Sequence, residues 1–230
     1  MTAAFHMVGA RPRGTAATAE SSTVLLMHCD GTDGSTAFVD SSPYAHTFQN
    51  NNAAIDTAQK KFGTASILCA SASSAWLQVN NAGAEMVIGT KDFTLECFVR
   101  RATGTAAGLI EMRSASGGNQ PSMQLNASGQ IVAINGGTTR TGATAYATGA
   151  WHHVAMSRKA GTTKVFGNGV EQLSFADATD YAATGVATKP RFGRDWNAAQ
   201  PLNGWLDEIR ILIGFAEYTA AFTPPAAPFT

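Results

Sequence analysis

Residues 151–175 read WHHVAMSRKAGTTKVFGNGVEQLSF. Asn168-Gly169 readily supplies the two positive-φ residues of a type I′ turn, and Lys159-Ala160-Gly161-Thr162 makes a second tight connection. The stretch therefore predicts three consecutive antiparallel strands, 151–158, 163–166 and 170–175. Period-two alternation puts Trp151 and His153 on one face and His152 and Val154 on the other.

The same pattern extends outward. From residue 23 onward, short apolar or β-branched runs alternate with Gly, Asn, Ser and Thr clusters. They predict further strands at 23–29, 65–69, 75–79, 93–101, 108–112, 122–126, 130–134, 190–193 and 206–213. Asn126-Ala127-Ser128-Gly129 is another tight turn. So many strands exceed one open sheet, and the expected fold class is all-β, with two antiparallel sheets packed face to face. Residues 215–221 are expected to form a short helical turn that Thr223-Pro224-Pro225 stops. Residues 1–22 follow neither period and read as an extended N-terminal arm, 23–223 as the folded domain and 224–230 as a Pro-rich tail. An arm of this kind gains order against a neighbour, so a homo-oligomer or larger assembly is expected.

Charged residues are 14% of the 230, with Lys+Arg and Asp+Glu equal at 16 each. No long-range field exists to recruit nucleic acid or an anionic membrane. No stretch approaches the ~20 apolar residues of a membrane span, and residues 1–20 lack the apolar core of a signal peptide, so synthesis in a cytoplasm is expected. Cys29, Cys69 and Cys97 lie in apolar strand-like runs without zinc-site spacing, and read as buried free thiols. A Cys29–Cys69 bridge stays open as an alternative.

Six stretches in order resemble the laminin-G-like branch of the concanavalin A-like jelly rolls. They are Leu25 to Gly31, Lys61 to Leu68, Asp92 to Val99, Trp151 to Arg158, Val165 to Gly169 and Asn203 to Ile211. The resemblance implies a jelly-roll sandwich. The ending Tyr218-Thr219-Ala220-Ala221-Phe222-Thr223-Pro224-Pro225-Ala226-Ala227-Pro228-Phe229 is similar to the tail that closes such domains in bacteriophage virion and tail proteins. This implies a non-enzymatic accessory protein of the virion surface, decorating the capsid or sitting on the tail, with other virion proteins as partners. A carbohydrate-binding adhesin for host recognition is the alternative, and a glycan hydrolase the weakest reading.

Related jelly-roll glucanases carry acidic residues alternating on one strand, yet Asp207-Glu208 are adjacent and so point apart. Position 209 is Ile, and no strand offers the i, i+2 acidic pair. Asp207 is expected to cap backbone amides, and Glu208 to pair with Arg210 or a cross-strand base. No catalytic residue is expected, since hydrolase, phosphate-loop and zinc-protease motifs are absent from the sequence. His152 and His153 face opposite ways and cannot share a metal. Sugar binding needs an aromatic platform flanked by polar groups, and Arg194-Asp195-Trp196-Asn197, with Trp196 exposed in a loop, fits that need as well as it fits a subunit interface. Tyr44 and His46 form a second candidate loop for a host-surface glycan. Calcium, known in parts of the family, would need oxygens such as those of Asp30 and Asp33 in Asp30-Gly31-Thr32-Asp33-Gly34. A solvated turn is the favoured reading there, so no cofactor is expected.

Overall fold

The computed structural model describes residues 17–70, 72, 74–113, 118–182 and 189–230. Residues 1–16 of the expected arm lie outside these. The rest of the arm closes in a helical turn, Ala19–Ser22, where Thr18 Oγ1 accepts the Ser21 N–H at 3.2 Å.

In chain order the strands are β1 (Thr23–Met27), β2 (Phe48–Asn51), β3 (Ala54–Asp56), β4 (Ser66–Cys69), β5 (Trp76–Val79), β6 (Phe93–Arg101), β7 (Ala107–Glu111) and β8 (Ser122–Leu125). They continue with β9 (Gln130–Asn135), β10 (Thr138–Ala145), β11 (His152–Lys159), β12 (Thr162–Gly167), β13 (Val170–Ala176), β14 (Arg191–Phe192) and β15 (Gly204–Ile213). A back sheet runs β13-β12-β11-β6-β15-β4-β3, and β1 pairs with β15 beyond the end of β4. A front sheet runs β10-β9-β8-β7-β14-β5-β2. All pairings are antiparallel, and the protein is the two-sheet sandwich expected of a jelly roll.

Alternation builds the core between the sheets. Leu77, Val79, Ile110, Met123, Leu125, Ile131 and Phe192 point in from the front, and Leu95, Cys97, Val99, Val154, Met156 and Ile211 from the back. The three cysteines are buried and free, so no Cys29–Cys69 bridge forms, and burial pushes each thiol up.

The 168–169 turn has φ of +49° at Asn168 and +78° at Gly169, with Gly167 opposite Val170. A Cβ on Gly169 would collide with the Phe222 carbonyl. Gly169→Ala is therefore expected to lower stability by at least about 1–2 kcal/mol in urea unfolding, from left-handed strain plus displacement of the tail.

No helical turn forms at 215–221. The Glu217 N–H donates to Thr94 Oγ1 at 2.9 Å, the Tyr218 N–H to Ser157 Oγ at 3.4 Å and the Phe222 N–H to the Gly169 carbonyl at 3.0 Å. The back sheet thus takes the amides a helix would use internally. The tail crosses the sheet's outer face as a strap, setting Tyr218, Phe222 and Phe229 around His153 with ring centroids 5.6–6.0 Å away.

Candidate functional site

The outward face of the front sheet is polar, and strand register assembles it. Gln49 pairs with Gln78, Gln78 with Arg191, Arg191 with Glu111, Glu111 with Ser122, Ser122 with Ile134 and Ile134 with Thr139, forming one row across seven strands. The neighbouring row holds Asn51 beside Trp76, and Gly108 beside Gln124 and Val132. Arg113 grips both Glu111 oxygens, its backbone N–H and Nε donating to Oε1 at 2.8 and 2.9 Å and Nη2 to Oε2 at 2.6 Å, and Ser122 Oγ adds a fourth bond at 3.1 Å. Gln78 Oε1 accepts Arg191 Nε at 2.6 Å.

The loop after β14 folds onto this face. Its seat is Gly108, where a Cβ would meet the backbone of Arg194 and Asp195; the Gly108 N–H donates to the Gln200 carbonyl at 2.9 Å. Of the 194–197 stretch, Asp195 is buried at 4% exposure and accepts the Gln200 N–H at 3.1 Å, so it braces the loop instead of facing a ligand. Trp196 is half-buried, not fully exposed, and its carbonyl accepts Arg191 Nη1 at 3.2 Å. Asn197 is exposed, its Oδ1 accepting the Ala199 N–H at 3.2 Å. Arg194 lies over the Trp76 ring, with its guanidinium carbon 4.2 Å from the centroid. Trp76 and Arg191, which sequence reasoning did not select, belong to separate strands that only the register joins.

The second loop lies apart. Thr47 bonds Asn81 at the C-terminal end of β5, whereas Gly193 packs on Cys69 and Ala75 at its start. Tyr44 is 48% exposed, but His46 is 4% exposed with both nitrogens engaged, Nδ1 with Asp40 at 2.7 Å and Nε2 with Glu85 at 3.1 Å. His46 is a structural pin and is withdrawn as a sugar contact.

Asp30 accepts from the Thr64 and Ala65 amides and from Thr64 Oγ1, and Asp33 from the Thr57 amide and hydroxyl. Each aspartate ties down a different turn. Among the described residues, no three His, Cys, Asp or Glu side chains converge on a metal position.

Asp207 and Glu208 depart from simple alternation. A bulge with φ of +47° at Glu208 breaks the register, so that Asp207, opposite Phe98, and Arg210, opposite Glu96, share the outer face of the back sheet. Asp207 accepts the Lys61, Phe62 and Glu208 amides, as a cap should, while burial pushes its carboxyl up to about 7 against those bonds. Glu208 pairs with His28 at 3.1 Å, not with Arg210, and accepts the Phe229 N–H at 2.9 Å. Arg210 instead joins Glu96 at 2.7 Å, and Glu96 also bonds His153 at 3.0 Å and Tyr218 at 2.8 Å. The strap seals this cluster. Beside His28 a cavity of about 250 Å³ opens between Met27, Phe38, Val39 and Ile55.

The sequence matches the laminin-G-type model of the concanavalin A-like lectin/glucanases superfamily over residues 49–213. The chain belongs to this superfamily. No curated protein matches the sequence. Among solved structures, this laminin-G-like domain is similar to domain 4 of AbnA, a GH43 extracellular arabinanase from Geobacillus stearothermophilus, in complex with arabinotriose. That likeness is 20% identical with TM-score 0.59, covering 84% of this chain and 93% of that one. The binding domain of Paraclostridial Mosquitocidal Protein 1 is 13% identical with TM-score 0.62, over 87% of this chain and 51% of that one. The binding domain of botulinum neurotoxin serotype D is 15% identical with TM-score 0.58, over 84% and 48%. The chain spans about half the length of these two toxin domains. Identities of this size establish the fold. Among the described residues no helix is long and apolar enough to cross a membrane.

Proposed function

We propose that this laminin-G-like domain is a non-catalytic glycan-binding module whose site is the outward face of the front sheet around Trp76, Arg191, Arg194 and Trp196. The carrying observation is the contrast between the two outer faces. The back one is sealed by the aromatic strap, whereas the front one presents the half-buried Gln78, Arg191 and Arg194 side chains beside half-buried Trp196, a mixture suited to sugar hydroxyls and a ring face, with Trp76, 9% exposed, packed beneath Arg194. The arabinotriose complex of a domain with this fold adds support. The carboxylates of the back face are engaged by amides and bases, which leaves no acid–base pair facing open space and favours binding over hydrolysis.

The setting we favour is the surface of a bacteriophage particle, because the 218–229 ending resembles the tails of virion proteins. Mass spectrometry of purified particles tests that setting. A glycan array followed by calorimetry on the full chain tests the module. Trp76→Ala, which removes the ring beneath Arg194, is expected to weaken the best array ligand at least tenfold, and Tyr44→Ala to leave it unchanged. Absence of any array ligand, or binding indifferent to Trp76→Ala, defeats the reading.

A further inference from the structure

We infer that the cavity beside His28 is a binding site for a small aromatic alcohol, its ring held by the apolar walls and its hydroxyl bonded to His28 Nε2. The inference is independent of the front sheet, because the cavity lies in the back one and has its own origin. Along β15 the neighbouring strand changes from β4, opposite residues 204–206, to β1, opposite residues 209–212. Between these pairings come the bulge at Asp207 and Glu208 and, just past β1, a turn with φ of +63° at Cys29. A hollow of about 250 Å³ opens at this break. Met27, opposite Ile209, lines one side, and Ile55, joined through Ile67 to Leu206, lines the other.

The walls are fixed before any ligand arrives. Met27, Cys29 and Ile55 are at most 5% exposed and belong to the core, and Phe38 packs against it. The segment carrying Phe38 is tied to β1 where the Ser41 N–H donates to the Leu26 carbonyl at 2.7 Å and Asp40 Oδ1 accepts the Leu26 N–H at 3.0 Å. Val39, 67% exposed, stands at the rim, so the hollow is open to solvent. Water inside it meets mostly carbon and sulfur, and an apolar ligand that displaces this water is favoured. An apolar cavity of about 150 Å³ holds a benzene ring, so this one has room for a substituted ring. The sulfurs of Met27 and Cys29 and the ring of Phe38 favour an aromatic body over an aliphatic one.

One polar group in the wall is prepared for a partner. His28 is held by buried Glu208, both of whose oxygens lie 3.1 Å from Nδ1, and the Phe229 N–H steadies Glu208 at 2.9 Å. Among the described residues nothing bonds Nε2. A carboxylate behind one imidazole nitrogen fixes the ring and leaves the other to meet a ligand. A hydroxyl suits Nε2 in either tautomer, because it both donates and accepts. Asp30, also at the wall, is taken by Thr64 and Ala65, so it does not stand ready for an amine.

The test is a methyl NMR titration of the full chain with phenol and with toluene, which share a ring and differ in the hydroxyl. Both are expected to shift the methyl signals of Met27, Val39 and Ile55. In His28→Leu the ratio of phenol to toluene affinity is expected to fall at least tenfold while toluene still binds, which separates a lost hydroxyl partner from a lost cavity. Val39→Trp, at an exposed position, is expected to close the mouth and abolish both titrations. No shift with either probe, or binding indifferent to Val39→Trp, overturns the site. A phenol-to-toluene ratio unchanged in His28→Leu overturns the assignment of the hydroxyl and the inference with it. N-acetyltyrosinamide binding more tightly than phenol would assign the ring to a tyrosine side chain of a partner protein, which also overturns it.

Discussion

Replacing Glu96 by Gln is expected to lower the stability of the domain by about 3–5 kcal/mol, because Arg210, buried beneath the strap, would keep only its longer 3.8 Å pairing with half-buried Glu217 as counter-charge. Glu96 is fully buried and joins three partners: Arg210, His153 and Tyr218. Burial alone would raise its carboxyl, but the His153 bond and the Arg210 charge outweigh that and hold it below the ordinary glutamate range. A carboxyl depressed in the folded state contributes stability above its unfolded pKa, and this is lost as pH falls through the folded value. Urea unfolding should therefore show the gap between Glu96→Gln and the wild type narrowing below about pH 4. Arg210→Met added to Glu96→Gln should recover much of the loss, since removing the stranded charge removes its desolvation cost. A loss under about 1 kcal/mol at neutral pH would show that water, not Glu96, solvates Arg210.

That cluster also marks where strand logic applied and where it failed. The 93–101 run was legible because it keeps strong apolar alternation, and β6 spans those residues. The Asn168-Gly169 hairpin was legible because the dipeptide selects its backbone angles. β2, β3 and β10 were not foreseen, and each is the outermost strand of its sheet. Edge strands with one hydrogen-bonded side and little burial need no apolar alternation. Phe48-Gln49-Asn50-Asn51 and the Thr-rich 138–145 run carry none that stands out from a loop. Asp207-Glu208 found the partners expected of it, amides for Asp207 and the cross-strand base His28 for Glu208, but its register was not legible. A bulge suspends the period of two, and its only trace is a non-glycine residue at positive φ, which sequence does not disclose.

The candidate site was partly legible. The 194–197 loop stood out through its Trp and Arg, but its meaning depends on Trp76 from β5 and Arg191 from β14, about 115 residues apart in the chain and joined by register. His46 was misassigned because a histidine in a polar loop looks available. Asp40 and Glu85, which occupy both its nitrogens, lie on either side of it in sequence, with Glu85 far downstream.

Phe229→Ala is the second variant expected to be severe, at about 3–5 kcal/mol by chemical denaturation, the range for truncating a buried aromatic. A Phe one residue from the end of this sequence would ordinarily be dispensable. Here it is 4% exposed, with its ring 5.9 Å from Phe98, 6.0 Å from His153 and 4.7 Å from the Arg210 guanidinium carbon. Its N–H satisfies Glu208, and the adjoining Thr230 carbonyl takes Arg210 Nη1 at 3.1 Å. Truncation thus opens a cavity over the back sheet and loosens two charged groups, so the effect should exceed that of Phe222→Ala, whose half-buried ring keeps only a stack on Tyr218 at 3.7 Å and edge contacts with His153 and Phe166. Hydrogen exchange should accelerate first along β11 and β15, under the strap. The front sheet, on the other side of the core, should keep its protection. Equal destabilisation by the two variants, or a Phe229→Ala cost below about 1 kcal/mol, would mean that the strap is held by its backbone bonds to Gly169, Thr94 and Ser157 and not by its aromatic anchor.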